Sequence, residues 1–473
     1  MADGGGFTEH GSVHSRQALF QYEHFSAETC TLMNCLGYGP QIRGARINAY
    51  KAYGRYLTAI TRSQPTFITT GSKAEGLTGY LNGDTFITTG SKAEGITCPL
   101  ESDIDLIRVT DTVICLEDGV DSSTIPAEIN ILRSCRRMSY HGHCILLLER
   151  YGTKIPIHMD DALCDDGYGR TLLSSDLYVN ELLKRKPYEG EVQHERAGPS
   201  TPATIAGKWH RDLVLALHFY CPSILTRWAT RPRNWPEPNI VQEVLSLGAF
   251  VTPVGYKGSA YEHVEWRMCF NSGENVLANN LNDTQVKLYI LLKMVKKDVL
   301  KPSKKEVTSF TVKNIVLWIA ENNPQSLFHD RSLLHWLHKG LDALRVAIIK
   351  LELPYYMIPE RNLLAGCDLD YKQQRTWIAT INDMIDEGPR VILRLPKIRQ
   401  ALIAHPEPLR RFSSWKIELE MLELICQNRI EKAVLFQAAR ARQKAILREV
   451  RQRMISEGGL VNDLDTMFDR ILM

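Results

Sequence analysis

The sequence predicts an α+β chain in which a mixed lobe of strands and helices precedes a helical lobe. Two observations carry this. Short β-branched runs crowd the first half: "TFITTG" twice, "DIDLIRVT", "CILLLERYGTKIPIHM" and "RDLVLALHFY". From about residue 283 onward, apolar residues recur with a period of about 3.6, as in "DTQVKLYILLKMVKKDVL", "SFTVKNIVLWIAENN" and "LLHWLHKGLDALRVAIIKL". A chain of 473 residues, 44% hydrophobic and 23% charged, has apolar material for two packed lobes.

Taken in order, residues 1 to about 24 are Gly- and His-containing, lack periodicity and read as a loose tail. Ile47, Tyr50, Tyr53, Leu57 and Ile60 then recur at helical spacing, which predicts an amphipathic helix from about 40 to 63. The strand runs come next, interrupted by the polar stretch "YEGEVQHERAGPSTPATIAGKWH". Within the helical lobe, Pro354 and Pro359 break the pattern. A long helical pattern rich in Arg occupies about 415 to 455. The formal net charge is only +3, so the whole-chain balance argues neither for nor against a nucleic-acid partner. Eleven cysteines in no regular framework fit a reduced compartment. No signal-peptide core and no run near the roughly 18 apolar residues of a membrane span is visible. A cytoplasmic protein with no membrane partner is expected.

The stretch "TFITTGSKAEG" occurs twice, at 66–76 and again at 85–95. The residues downstream of each copy tell the two apart. After the second comes "ITCPLESDIDLIRV", in which Asp103 and Asp105 alternate along a β-type run and so leave one face of a strand. Carboxylates that close repel unless a cation lies between them, and a hard divalent ion favours oxygen ligands. The Gly90–Ser91 turn ahead of them offers backbone N–H groups and a hydroxyl to phosphate oxygens. After the first copy, Asp84 aligns with Asp103, but Phe86 stands where Asp105 would be. The first copy cannot make the pair. Two-metal phosphoryl transfer asks for a third carboxylate from a neighbouring strand, and Asp212 at the head of "DLVLALHF" supplies it.

"GSKAEG…DIDLI", "DLVLAL…RPRNWP", "EWRMCF", "LNDTQVKLYILLKMVKKDVL", "SFTVKNIVLW" and "IPERNLLAG" together resemble the nucleotidyltransferases of the cyclic GMP-AMP synthase family. In particular they resemble the animal cGAS-like receptors and their "male abnormal" developmental relatives. The resemblance runs over roughly 40 to 400. It implies a bilobal, polymerase-beta-like fold with an N-terminal spine helix. A tail would occupy 1–24, the nucleotidyltransferase core 25–282, the helical lobe 283–410 and a C-terminal helical extension 411–473. Asp103, Asp105 and Asp212 would be the catalytic acids, holding two Mg²⁺ (or Mn²⁺). Gly90 and Ser91 would hold a triphosphate, Lys293 and Ser309 would reach phosphates, Phe310 would stack on one base and Arg267 would contact the other.

The implied activity joins two NTPs into a cyclic dinucleotide, read by a receptor of the STING type, as an innate immune signal. The alternatives are a non-catalytic scaffold of the same fold with a developmental role, and an RNA-primed nucleotide-adding enzyme. Two features depart from the family. The zinc ribbon that should come after the "WR…F" strand is replaced by "NSGENVLANNLND", without Cys or His. Cys135, His141, His143 and Cys144 read instead as strand and core residues, so no structural zinc is expected. The tandem repeat is the second departure. Lys51, Arg55 and Arg62 fall within about 40° of one another on the first helix. Lys296, Lys297, Lys301, Lys304 and Lys305 form a second basic cluster. With the ribbon missing, these are expected to bind double-stranded RNA through its phosphates, double-stranded DNA being the alternative. Arg440, Arg442, Lys444, Arg448, Arg451 and Arg453 lie beyond the region of resemblance, where the helix either packs on the helical lobe or meets a partner.

Overall fold

The computed structural model describes residues 21–62, 84–153, 156–183, 190–205, 207, 209–302, 306–427, 433–458 and 463–472. The first "TFITTGSKAEG", Lys304 and Lys305 lie outside the described residues, as does the side chain of Arg62.

The β-branched runs form one mixed sheet. Its strands are β1 (Asp84–Thr89), β2 (Ile104–Leu116), β3 (Asn130–Cys135), β4 (His143–Arg150), β5 (Leu163–Asp165), β6 (Thr171–Leu173), β7 (Glu191–Gln193), β8 (Ser200–Ile205), β9 (Trp209–Tyr220), β10 (Ala249–Thr252) and β11 (Glu265–Cys269). The order is β1-β2-β3-β4-β11-β10-β9-β8-β7, and β2 also pairs with β9. That extra pairing, parallel, closes the path on itself. It is the pairing that sets Asp105 beside Asp212. The polar stretch before β9 carries structure of its own: β7 and β8 form a hairpin whose second strand runs antiparallel to β9. Its Ser- and Thr-rich composition hid the strands, because few of their positions are apolar and buried.

Helices surround the sheet: α1 (Glu23–Met33), α2 (Pro40–Arg62), the single turn α3 (Gly90–Ala93), α4 (Ile157–Asp160), α5 (Ser175–Leu183), α6 (Pro222–Ala229), α7 (Pro238–Leu247) and α8 (Asn271–Asn279). The second half adds α9 (Asp283–Met294), α10 (Ser309–Asn322), α11 (Leu333–Lys350), α12 (Tyr371–Asp386), α13 (Pro396–Ala404), α14 (Glu407–Gln427), α15 (Ala433–Ser456) and α16 (Leu464–Leu472). The expected amphipathic helix is α2, which lies on β1 and α3. The run read as one helix through Leu300 is α-helical only to Met294, then widens into a π-type stretch, Val295–Leu300. The Arg-rich pattern, read as one long helix, is two, α14 and α15. They pack on each other, and α14 packs on α2. Both have a helical period, so periodicity alone could not show the fold-back between them.

The sheet's two faces differ. Leu215, Leu217, Val251, Trp266 and Met268 point into the largest apolar core, which continues into α9, α10 and α11. The opposite face carries smaller, separate apolar patches: Ile107, Val109, Ala216 and Phe250 beside the carboxylates, and further along Ile114, Leu116 and Ile131, and Ile145. Strand alternation puts Asp105 and Asp212 on that second face. No described helix is long and apolar enough to cross a membrane.

Trp266 tests this packing. It is fully buried, donates its ring N–H to the Leu173 carbonyl at 2.8 Å and meets Tyr178 edge-on. Trp266→Ala should lower unfolding stability by about 3–5 kcal/mol in denaturant titration. A loss below about 1 kcal/mol would place Trp266 outside the core.

Candidate active site

Register builds the site. Across β1 and β2, Thr89 opposes Asp105. Across β2 and β9, Asp105 opposes Asp212. Asp105 is therefore the middle member of a row of three strands. Asp103 was expected on the strand, but β2 begins at Ile104. Asp103 sits just ahead of it and is exposed, because the chain is still turning out of the preceding loop. Among the described residues, no three His, Cys, Asp or Glu side chains are gathered closely enough to hold a metal ion as they stand.

Gly90 explains the tightness around Asp105. Its φ is +70°, a conformation that favours glycine. A Cβ there would lie 2.1 Å from Asp105 Oδ2. No other residue fits between β1 and the carboxylate. Ser91 is next in the chain, and Lys293, at the end of α9, donates to Ser91 Oγ at 2.6 Å. The structure thus brings together Gly90, Ser91, Lys293, Asp105 and Asp212, with Asp103 at the rim. Burial pulls the Lys293 ammonium down to about 8, against the attraction of Glu94, Glu101 and Asp105. Lys92 is also buried and lowered to about 8 by desolvation, with Asp103 and Asp105 opposing. It donates to the Pro99 carbonyl at 2.7 Å.

The turn is fastened to the helices by residues that motif reading did not assign. Glu94, buried, accepts from Lys313 at 3.1 Å and from the Tyr289 hydroxyl at 3.2 Å. Lys313 also reaches Glu274 at 2.7 Å, and Tyr355 donates to Glu274 at 2.5 Å. One buried ammonium between two buried carboxylates holds its proton well above the usual lysine range, the carboxylates overcoming burial. The signal was present as a lone lysine within the apolar run "SFTVKNIVLW". Ser309 opens α10 after a Thr308 cap. Phe310 is half-buried, tilted against Tyr355 at 5.6 Å, with Lys313 Nζ 5.1 Å from its ring centre. Lys313 therefore lies between Phe310 and the turn.

Arg267 stands elsewhere on the carboxylates' face, opposite Thr252 on one side and His143 on the other. Burial and the neighbouring Arg361 lower it to about 10. Its Nε is buried without a hydrogen-bond partner, as are both ring nitrogens of His143. Burial, then Arg267 and Arg361, push His143 down to about 3, so it is neutral at physiological pH. Cys144, beside it, points into the main core, whereas His141 is an exposed turn residue. Lys51 and Arg55 are exposed on α2, and Lys297 and Lys301 are exposed after α9, while Lys296 is partly buried.

Asp105 is raised to about 7, by burial first and then by Asp212, Asp103 and Glu94, with Lys92 opposing. An unfolded aspartate releases its proton near 3.9, so between about pH 4 and 7 the folded chain binds more protons than the unfolded one. Stability should then fall as pH rises through that window. In chelator, Asp105→Asn should flatten this decline and exceed the wild type at about pH 7.5 by roughly 1–3 kcal/mol. Superimposable pH profiles of thermal unfolding would contradict it.

Comparison with known proteins adds one match. No curated protein sequence matches the chain. Residues 284–382 match the family model of the Mab-21 protein HhH/H2TH-like domain. That stretch runs from α9 into α12, contains Lys293, Ser309 and Phe310, and is similar to a domain of the cGAS/Mab-21 nucleotidyltransferase family.

Proposed function

We propose that this chain is a nucleotidyltransferase of bilobal fold that joins two NTPs into a cyclic dinucleotide when a double-stranded RNA orders its site. The observation that carries the reading is the parallel register of Asp105 against Asp212, beside Gly90, Ser91 and Lys293. The donor set is all carboxylate oxygen, and burial first, then Asp212 and Asp103, already raise Asp105 to about 7. Such a set suits Mg²⁺ or Mn²⁺, with Asp103, Asp105 and Asp212 as the residues that would hold it. When bound, the ions would supply charge stabilisation to the attacking and leaving oxygens. Gly90, Ser91 and Lys293 would receive the triphosphate. Asp212 would take the proton of the attacking ribose hydroxyl as pyrophosphate departs from the α-phosphorus. Phe310 and Arg267 would seat the two bases.

One observation favours a second reading, a scaffold of the same fold without catalysis: Asp103 sits exposed just ahead of β2 rather than on the strand beside Asp105. Purified protein incubated with radiolabelled NTPs, Mg²⁺ and a panel of duplexes separates the two. Cyclic product formed with duplex RNA supports the enzyme, and extension of an added RNA would instead indicate a primed nucleotide-adding enzyme. Asp212→Asn is nearly isosteric and should cut product formation by at least about a hundredfold while the fold persists. Wild-type turnover by the folded variant would remove Asp212 from the mechanism.

The RNA reading has its own test. Lys51→Glu with Arg55→Glu should abolish duplex activation and reduce the log–log salt slope of binding by roughly 0.9 per lost contact, the value for B-DNA. Duplexes of unrelated sequence should activate alike, because A-form RNA presents shape rather than a readable base code. Activation by duplex DNA alone would reverse the choice of ligand.

A further inference from the structure

The loop at 95–102 connects the Gly–Ser turn to Asp103; Lys92 of the turn holds its Pro99 carbonyl, and α2 and the C-terminal helices hold it from outside. Gly95, at φ +69°, packs on α2 so closely that a Cβ would lie 2.7 Å from the Arg43 carbonyl oxygen. Arg46 of α2, fully buried, donates to the Gly95 carbonyl at 3.1 Å and to Cys98 Sγ at 3.2 Å. The same guanidinium forms a fork with Glu420 of α14, at 2.5 and 2.8 Å, and Glu420 is also fully buried. Glu101 accepts from the Cys98 amide at 2.9 Å and pairs with Lys397 of α13. The charges of Lys397 and Lys416 hold its carboxyl below the usual glutamate range in spite of burial. Leu100 makes the third attachment. Leu419, Ile446, Leu447, Val450, Phe468 and Leu472 form the core of α14, α15 and α16, distinct from the main core, and Leu100 packs against it.

We propose that the C-terminal unit of α14, α15 and α16 is a clamp that positions the catalytic loop, with Arg46 and Glu420 as positioning residues and Leu100 as its apolar key. The clamp rests on these contacts alone; its effect on catalysis rests on the nucleotidyltransferase function proposed above. The physical case turns on Arg46. Paired, its guanidinium can stay buried and keep one N–H on the Gly95 carbonyl. Unpaired, it is a buried charge left with only the more distant attraction of Glu101, and it is driven towards water. The loop would move with it, and Asp103 is the next residue after that loop. A partner or ligand that displaced the C-terminal unit would thereby disorganise the acids without touching them.

The test uses the full chain with Glu420→Gln and, separately, Leu100→Ala, the milder change should the first fail to fold. Amide hydrogen exchange over 95–105 is compared with that over β9 to β11, and Mn²⁺ binding is measured by paramagnetic resonance. The clamp requires exchange in the loop to accelerate by about tenfold or more while the strands stay protected. It also requires Mn²⁺ affinity to weaken several-fold, and Glu420→Asp to restore part of both. Unchanged loop exchange in Leu100→Ala overturns the clamp, and so does equal acceleration throughout the sheet. A loosened loop with undiminished Mn²⁺ affinity overturns the positioning role. Wild-type protein that takes up no Mn²⁺ sinks the proposed metal site, and the exchange comparison then decides the clamp alone.

Discussion

The parallel pairing of β2 with β9 is the constraint on which the site depends. It places Asp105 and Asp212 side by side, which two separate sheets could not do at fixed register. It also joins the ends of the strand path, so that β2 contacts β1, β3 and β9. β2 is thirteen residues long and must serve three neighbours, and a register shift between Thr110 and Ile114 lets it do so. Packing dominates one face of this sheet, and the candidate carboxylates stand on the other. The first packs on α9, α10 and α11, while the carboxylates share theirs with smaller, separate apolar patches.

Holding like charges together requires a surrounding that does not yield. Around the turn that surrounding is electrostatic. Lys313 joins Glu94 to Glu274, Lys293 meets Ser91, and Lys92 opposes the protonation of Asp105. Each lysine is partly or wholly withdrawn from water, where a charge acts over longer distance than at the surface. These three ammonium groups reach the turn from two directions, two from the helical second half and one from the turn itself. The turn is thus as much a feature of α9 and α10 as of β1.

Much of this was legible in the sequence, and the reason is local. β-Branched runs predict β1, β2, β4 and β9 because strand preference and alternation act over a few neighbours. Asp103, Asp105 and Asp212 stand out because carboxylates are rare at the heads of apolar strands. Residues whose purpose is a distant partner were not legible. Arg46 and Glu420 are separated by 374 positions, and Lys313 and Glu94 by 219. In sequence, Arg46 is one more polar residue of an amphipathic helix. The β7–β8 hairpin was missed because short, half-exposed strands carry no apolar run. The C-terminal helices read correctly as helices, but nothing in their period says that α14 lies along α2.

Cys98 lies where the clamp's charges meet, its sulfur 3.2 Å from both the Arg46 guanidinium and the Glu420 carboxylate. Burial above all, aided by Glu101 and Glu420, pushes its thiol up to about 12. A thiol so protonated and enclosed reacts slowly with alkylating agents and oxidants, which attack the thiolate. The chain thus carries its own chemical timer: the rate at which Cys98 is alkylated measures how often the loop leaves α2 and α14, with no label introduced and no turnover required.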